Sequence, residues 1–148
     1  MTIRIARDVL DEIHAHAEAM YPEECCGLLT AGDANAASGA PQPWKTITGS
    51  MRMKNAYEGP KRHRYSIDPL ELFRADRAMA EKGHAITGIY HSHPDSPASL
   101  SDFDLQHSFP WYSYVVVSVP KGRAGETKSW TLLEDRKSVI SEEMEILD

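Results

Sequence analysis

Cysteine is scarce in this chain: the 148 residues include only Cys25 and Cys26, and the two are adjacent. Neighbours in sequence rarely reach the Cα and Cβ separations of an unstrained disulfide. A disulfide-stapled secreted scaffold is therefore excluded. Long apolar runs are missing as well. No stretch reaches the 18 or more residues expected of a membrane span, and the first residues lack the apolar core of a signal peptide. Positive charge is in deficit, with 16 Lys and Arg against 22 Asp and Glu, a net charge of −6. An acidic chain repels nucleic acid unless a local basic stripe compensates. The only dense basic run is Lys61-Arg62-His63-Arg64, and it is short. It reads as a solvated turn, with a role in gripping a substrate as the alternative. The expectation is a cytoplasmic protein in a reducing compartment, with neither nucleic acid nor membrane as partner.

What is present suits an ordinary globular domain. Apolar residues make up 41% and charged residues 26%, close to average values. The length fits one domain over residues 1–148, which should bury about 70% of its unfolded surface. No internal repeat is visible, and residues 32–43 read as a connection between strands. Val9, Ile13, Ala17 and Met20 follow helical spacing, which predicts a first helix over 7–20, with Asp8 as cap and Pro22 beyond its end. Cys25 to Thr30 reads as a buried strand. Residues 47–56 predict a strand or hairpin, and 63–67 another strand. Asp68, Pro69 and Glu71 mark the start of a second helix, with Leu72, Phe73, Ala75, Met79 and Ala80 on or beside its apolar face and Gly83 at its stop. Strand 85–93, a short helix 101–107, a Val- and Tyr-rich strand 112–119 and weaker strands 128–133 and 139–146 complete the chain. The order predicts an α/β or α+β sheet flanked by helices.

The chemistry-bearing segment is His91-Ser92-His93-Pro94, followed by Ser101 and Asp104. In a strand, side chains at i and i+2 share a face, so the two histidines would stand roughly 7 Å apart at Cα. Two imidazoles at that spacing can converge on one ion, and Asp104 can complete three protein ligands. Two nitrogens and a carboxylate oxygen, with a fourth position open, form the pattern of a catalytic zinc site. His14-Ala15-His16 has the same spacing, but on a predicted helix the two side chains diverge. Ser101 and Asp104 also fit a plain helix capping box. The two readings are compatible, since a ligand in a helix's first turn is held in place. A hydrolytic zinc needs a base for its water. Glu23 and Glu24 both precede the Cys25–Thr30 strand, and the spacing alone does not choose between them.

Glu24-x-x-Gly27, His91-x-His93-Pro94 and Ser101-x-x-Asp104 together resemble the signature of the JAMM (MPN+) metalloprotease family. Seven residues, 94–100, separate the second histidine from the serine, and two separate the serine from the aspartate, as in that signature. The family's base lies three residues before a glycine that follows a cysteine, which singles out Glu24. The resemblance implies a mixed, curved β-sheet with flanking helices, the cytidine-deaminase-like architecture of JAMM/MPN domains. It implies zinc on His91, His93 and Asp104, Glu24 as general base and then proton donor, and Ser101 steadying the oxyanion. It further implies a peptidase or isopeptidase cutting after the C-terminal glycine of a ubiquitin-like protein. The compact motif set favours a small sulfur-carrier protein as the partner.

Three other readings are weighed. Cys25 and Cys26 read as core strand residues, since nothing marks a lowered pKa or a partner base. A nucleobase deaminase would need His-x-Glu and Pro-Cys-x-x-Cys, and neither occurs. A non-catalytic interaction module of the same fold stays open. The substrate, the leaving group and the oligomeric state are not legible in the sequence.

Overall fold

The fold was obtained as a computed structural model that describes residues 2–32, 44–135 and 138–148. The expected connection at 32–43 lies outside the described residues apart from Gly32. Among the described residues, eight strands and three α-helices follow in the order β1 (Thr2–Ala6), α1 (Arg7–Met20), β2 (Cys26–Ala31), β3 (Trp44–Ile47), β4 (Gly49–Met53), α2 (Pro69–Glu81), β5 (Ala85–Pro94), α3 (Asp102–Gln106), β6 (Ser113–Val119), β7 (Thr127–Leu132) and β8 (Val139–Leu147). The strands form one mixed sheet in the order β3-β1-β8-β7-β6-β5-β2-β4. The pairs β1–β3, β1–β8 and β5–β6 are parallel and the others antiparallel.

The order itself shows the curvature. β3 and β4 are separated only by Thr48, yet they occupy opposite ends of the sheet. A single residue cannot bridge a flat eight-stranded sheet whose strands lie about 4.8 Å apart. The sheet therefore curls until its edges nearly meet, and Thr48 N, donating to Thr30 O of β2 at 2.9 Å, carries the β2–β4 pairing up to the end of β3. The result is a mixed α+β fold with a nearly barrel-like sheet.

Alternation along the strands gives the sheet two covered faces. On one, α1 lays Val9, Leu10, Ile13 and Ala17 over Ile3, Ile5, Leu29, Tyr90, Val115 and Val117. On the other, Leu28, Ile89 and Tyr114 meet Ala75 and Leu72 of α2. Fully burying one such Leu or Ile side chain contributes about 1.5–3 kcal/mol. Gly27 is dictated by this packing: a Cβ there would collide with the Tyr90 ring that lies across it from β5. Both cysteines are buried, unpaired core residues, as expected. Burial pushes the Cys25 thiol up to about 11 and the Cys26 thiol up to about 12, so both stay protonated and unreactive.

Several local expectations are corrected. Residues 63–67 form no strand; the segment is held by Asn55, not by a ladder. Asp8 lies inside the first turn of α1, whose N-cap is Ala6. Asp68 does cap α2, accepting from Leu70 N and Glu71 N, but Glu71 turns outward to Arg74 Nη1 at 2.8 Å. Phe73 and Ala80 are exposed, Phe73 by 56%, because only Ala75 and Met79 of α2 are buried. β1 was not anticipated, although Thr2-Ile3-Arg4-Ile5-Ala6 alternates. Gly83 does end α2, with φ at +76°. Among the described residues, no helix is long and apolar enough to cross a membrane.

Candidate active site

His91 and His93 stand on the same face of β5, with Ser92 between them turned the other way. Ser92 Oγ accepts from Cys25 N at 2.8 Å, and Ser92 N donates to Cys25 O at 3.2 Å. Those two bonds extend the β2–β5 pairing by one residue, to the point where Glu24 leaves the sheet. His91 and Cys26 are direct cross-strand partners, so Glu24 is delivered beside the two imidazoles. Ser101 caps α3, accepting from Asp104 N at 3.1 Å, while Asp104 Oδ2 accepts from Ser101 N at 3.0 Å. The capping box thus exists, and it aims Asp104 at the histidines.

The side-chain atoms converge tightly. His91 Nε2 lies 3.1 Å from His93 Nε2 and 3.1 Å from Asp104 Oδ2, and His93 Nε2 lies 3.3 Å from the same oxygen. Donors around one tetrahedral zinc, with bonds of 2.0–2.2 Å, are spaced roughly 3.3–3.6 Å apart. The triangle therefore has nearly the size that such an ion requires. His93 Nδ1 donates to Pro97 O at 2.8 Å, which turns Nε2 to the centre, where giving up its proton would offer a metal a lone pair. Tyr65 stacks on His91 at 4.5 Å between ring centroids. Glu24, only 3% exposed, joins the histidines in a group whose ligand atoms all lie within 4.8 Å of one another.

The electrostatics are those of a buried site. Burial raises the Glu24 carboxyl to about 8, with His93 pulling it down and Asp104 pushing it up. Glu24 Oε1 is buried without a hydrogen-bond partner among the described residues. Burial also opposes ionisation of Asp104, but the charge and hydrogen bond of His91, with the bonds from His93 and Ser101, hold it well below the usual carboxylate range. His91 is lowered by burial. For His93, burial is outweighed by its bonds to Asp104 and Pro97, and it is raised.

Glu24, His93 and Ser101 open into a cleft of about 230 Å³ that Arg62, His63 and the Pro94–Leu100 loop also line. On the far side of Asp104 lies an apolar cavity of about 620 Å³, bordered by Tyr57, Tyr65, Leu72 and Phe103. The chain's other spaced pair behaves differently. His14 Nε2 pairs with Thr127 Oγ1 and His16 Nδ1 with Tyr90 Oη, each at 2.8 Å. All five residues singled out in the sequence thus meet at one place. Asn55 was missed: its buried amide donates to Glu24 O at 3.0 Å. An isolated Asn between a strand and a loop carries no signal of that role.

Comparison with known proteins agrees with this geometry. Residues 6–133 match the family of prokaryotic homologs of the JAB domain. The chain belongs to that family. It is 33% identical over 146 residues to the desampylase of Haloferax volcanii, covering 95% of this chain and 96% of that one. It is 29% identical to the CysO-cysteine peptidase of Mycobacterium tuberculosis, covering 88% of this chain and 82% of that one. The solution structure of protein DSY2949 from Desulfitobacterium hafniense superposes with a TM-score of 0.81 at 27% identity, covering 99% of this chain and 94% of that one.

Proposed function

We propose that this JAB-domain protein is a zinc-dependent peptidase or isopeptidase. It hydrolyses the bond after the C-terminal glycine of a ubiquitin-like or sulfur-carrier protein, working as one domain over residues 1–148. The observation that carries the reading is the convergence of His91 Nε2, His93 Nε2 and Asp104 Oδ2 within 3.3 Å, with a buried, unpartnered Glu24 oxygen beside them. Two imidazoles and a carboxylate match the donor set of hydrolytic zinc. The names of the two relatives, one a desampylase and the other a CysO-cysteine peptidase, support a carrier-protein substrate. Two free, buried thiols suit a cytoplasmic setting.

Bound there, zinc would supply Lewis acidity, making water a better nucleophile and polarising a carbonyl. The chain's own residues do the rest. His91, His93 and Asp104 would hold the ion. Glu24 takes the proton of the attacking water and returns it to the leaving amine. Burial disfavours the carboxylate, which suits the second half of that task, where the carboxyl holds a proton and then gives it up. Ser101 uses one oxygen lone pair to cap α3, and a hydroxyl retains its proton when it accepts. That proton is free to stabilise the oxyanion.

The test is a zinc-loaded preparation incubated with a ubiquitin-fold carrier extended beyond its terminal Gly-Gly. Cleavage after the glycine, abolished by chelation, is expected. Hydrolysis of unrelated peptides with no carrier extension cut would overturn the substrate assignment. Stoichiometric zinc with no hydrolysis of anything would favour the non-catalytic interaction module.

A further inference from the structure

The basic run Lys61–Arg64 has no part in the chemistry above, yet the fold fastens it to the backbone of the proposed base. Glu24 N donates to Lys61 O at 2.8 Å. Asn55 Nδ2 donates to both Glu24 O and Arg64 O, at 3.0 and 3.1 Å. Asn55 Oδ1 accepts from Tyr57 N and Ser66 N, at 3.1 and 3.2 Å. One buried amide thus satisfies four backbone groups and ties the loop to the catalytic strand end. A merely solvated turn needs no such anchor.

The consequence is that Arg62 and His63 line the same cleft as Glu24, His93 and Ser101. Arg62 Nη2 touches Asp95 Oδ2 at 3.3 Å, and Asp95 also accepts from Tyr21 Oη and Lys121 N. That exposed contact positions the guanidinium without exhausting its five donors. Arg64 behaves differently: it lies over the Phe103 ring at 4.5 Å and donates to Tyr57 Oη.

Glu24, which returns its proton to the leaving amine, lines this cleft, so the cleft is open to the leaving group. An α-amino acid carries its carboxylate on the carbon next to that nitrogen. A lysine side chain leaving through Nζ carries no charge nearby. Planar carboxylates are matched by the guanidinium fork. We infer that Arg62, with His63 beside it, receives the α-carboxylate of a single amino acid on the leaving side. The enzyme then favours carriers extended by one free amino acid over carriers joined to lysine side chains. This inference rests on the peptidase reading.

Its test uses zinc-loaded protein and three probes built on one ubiquitin-fold carrier ending in Gly-Gly. The first is extended by alanine as the free acid, the second by alaninamide, and the third is joined to Nζ of N-acetyl-lysinamide. The free acid should be cut about tenfold more efficiently than the amide, chiefly through KM. Arg62→Gln should erase that advantage and leave the amide rate unchanged, and Arg62→Lys should keep part of it. Arg77→Gln, an exposed substitution on α2, should change nothing. Equal rates on acid and amide in the wild type, or an advantage that survives in Arg62→Gln, would overturn the inference. So would an equal loss on all probes, which would make Arg62 a structural prop for Asp95. These results leave the peptidase reading standing, whereas failure to cut any probe overturns that reading as well.

Discussion

His14 and His16 stand two residues apart on α1, and His91 and His93 stand two apart on β5. In sequence the two pairs have the same spacing. On the helix, the two imidazoles point to different neighbours, Thr127 and Tyr90, and each is satisfied by a hydroxyl. On the strand, the two Nε2 atoms meet at 3.1 Å and share Asp104. The element's period makes the difference, because a strand returns to the same face every second residue and a helix does not. His16 is buried as His91 and His93 are, so burial alone does not make a metal site. Convergence on one point is what a shared ion would need, and of the two pairs the strand pair supplies it.

Zinc stoichiometry of purified variants cuts this comparison most sharply. His93→Ala and Asp104→Ala should each lose tight zinc together with all carrier cleavage, while His14→Ala retains both. Metal content read by elemental analysis decides it. Full occupancy in both ligand variants would remove the assignment. Next in size is Glu24→Gln, which keeps the isostere and deletes the proton acceptor. It should hold one zinc and lose about 10²–10⁴ in turnover. A wild-type rate in that variant would show that another group activates the water.

Ser101 tests whether a capping residue also does chemistry. Losing the cap should lower stability by about 1 kcal/mol. Losing an oxyanion donor should cost about 10²–10³ in kcat. Ser101→Ala measured by both denaturation and kinetics separates the two, and a rate unchanged beside a drop in stability would leave Ser101 a cap only.

Much of this was legible in the sequence because it is local. Asp68 and Pro69 start α2, Ser101 and Asp104 form a capping box, and Val115 to Val119 form a strand, all through neighbours within a few residues. The triangle of His91, His93 and Asp104 was legible for the same reason, since His91 to Asp104 spans only one strand end and one helical turn. Glu24 was not legible from its own surroundings. Its choice over Glu23 came from the family signature, and its physical cause is the Cys25–Ser92 bonding across 67 residues. β1 escaped because its partners β3 and β8 are distant in the chain, and Ile3 and Ile5 alone resemble any short alternation. The segment 63–67 misled because Tyr65 and Ile67 alternate with polar residues. Their burial comes from packing over Leu28 and Ile89, not from a ladder. Non-local hydrogen bonding, from Asn55 above all, is what sequence spacing does not encode.

The smallest expected effect lies in the helical pair and tests its structural role. His16 is buried against Tyr90, and burial, followed by the charge of Arg52, lowers its pKa. A histidine lowered in the folded state stays neutral there while the unfolded chain takes up protons. Its contribution is therefore full above the unfolded pKa, near 6.5, and is lost as pH falls below it. His16→Phe keeps the edge-on ring contact but strands the Tyr90 hydroxyl, at a cost of about 1–3 kcal/mol. That deficit, measured by urea denaturation at pH 8, should shrink as the pH is lowered through 6.5, because only the wild type then loses the neutral imidazole's contribution. Zinc content should be unchanged throughout. A deficit that grows on acidification, or a loss of zinc in this variant, would mean that the two pairs are coupled through Tyr90 and that the helix helps to build the site.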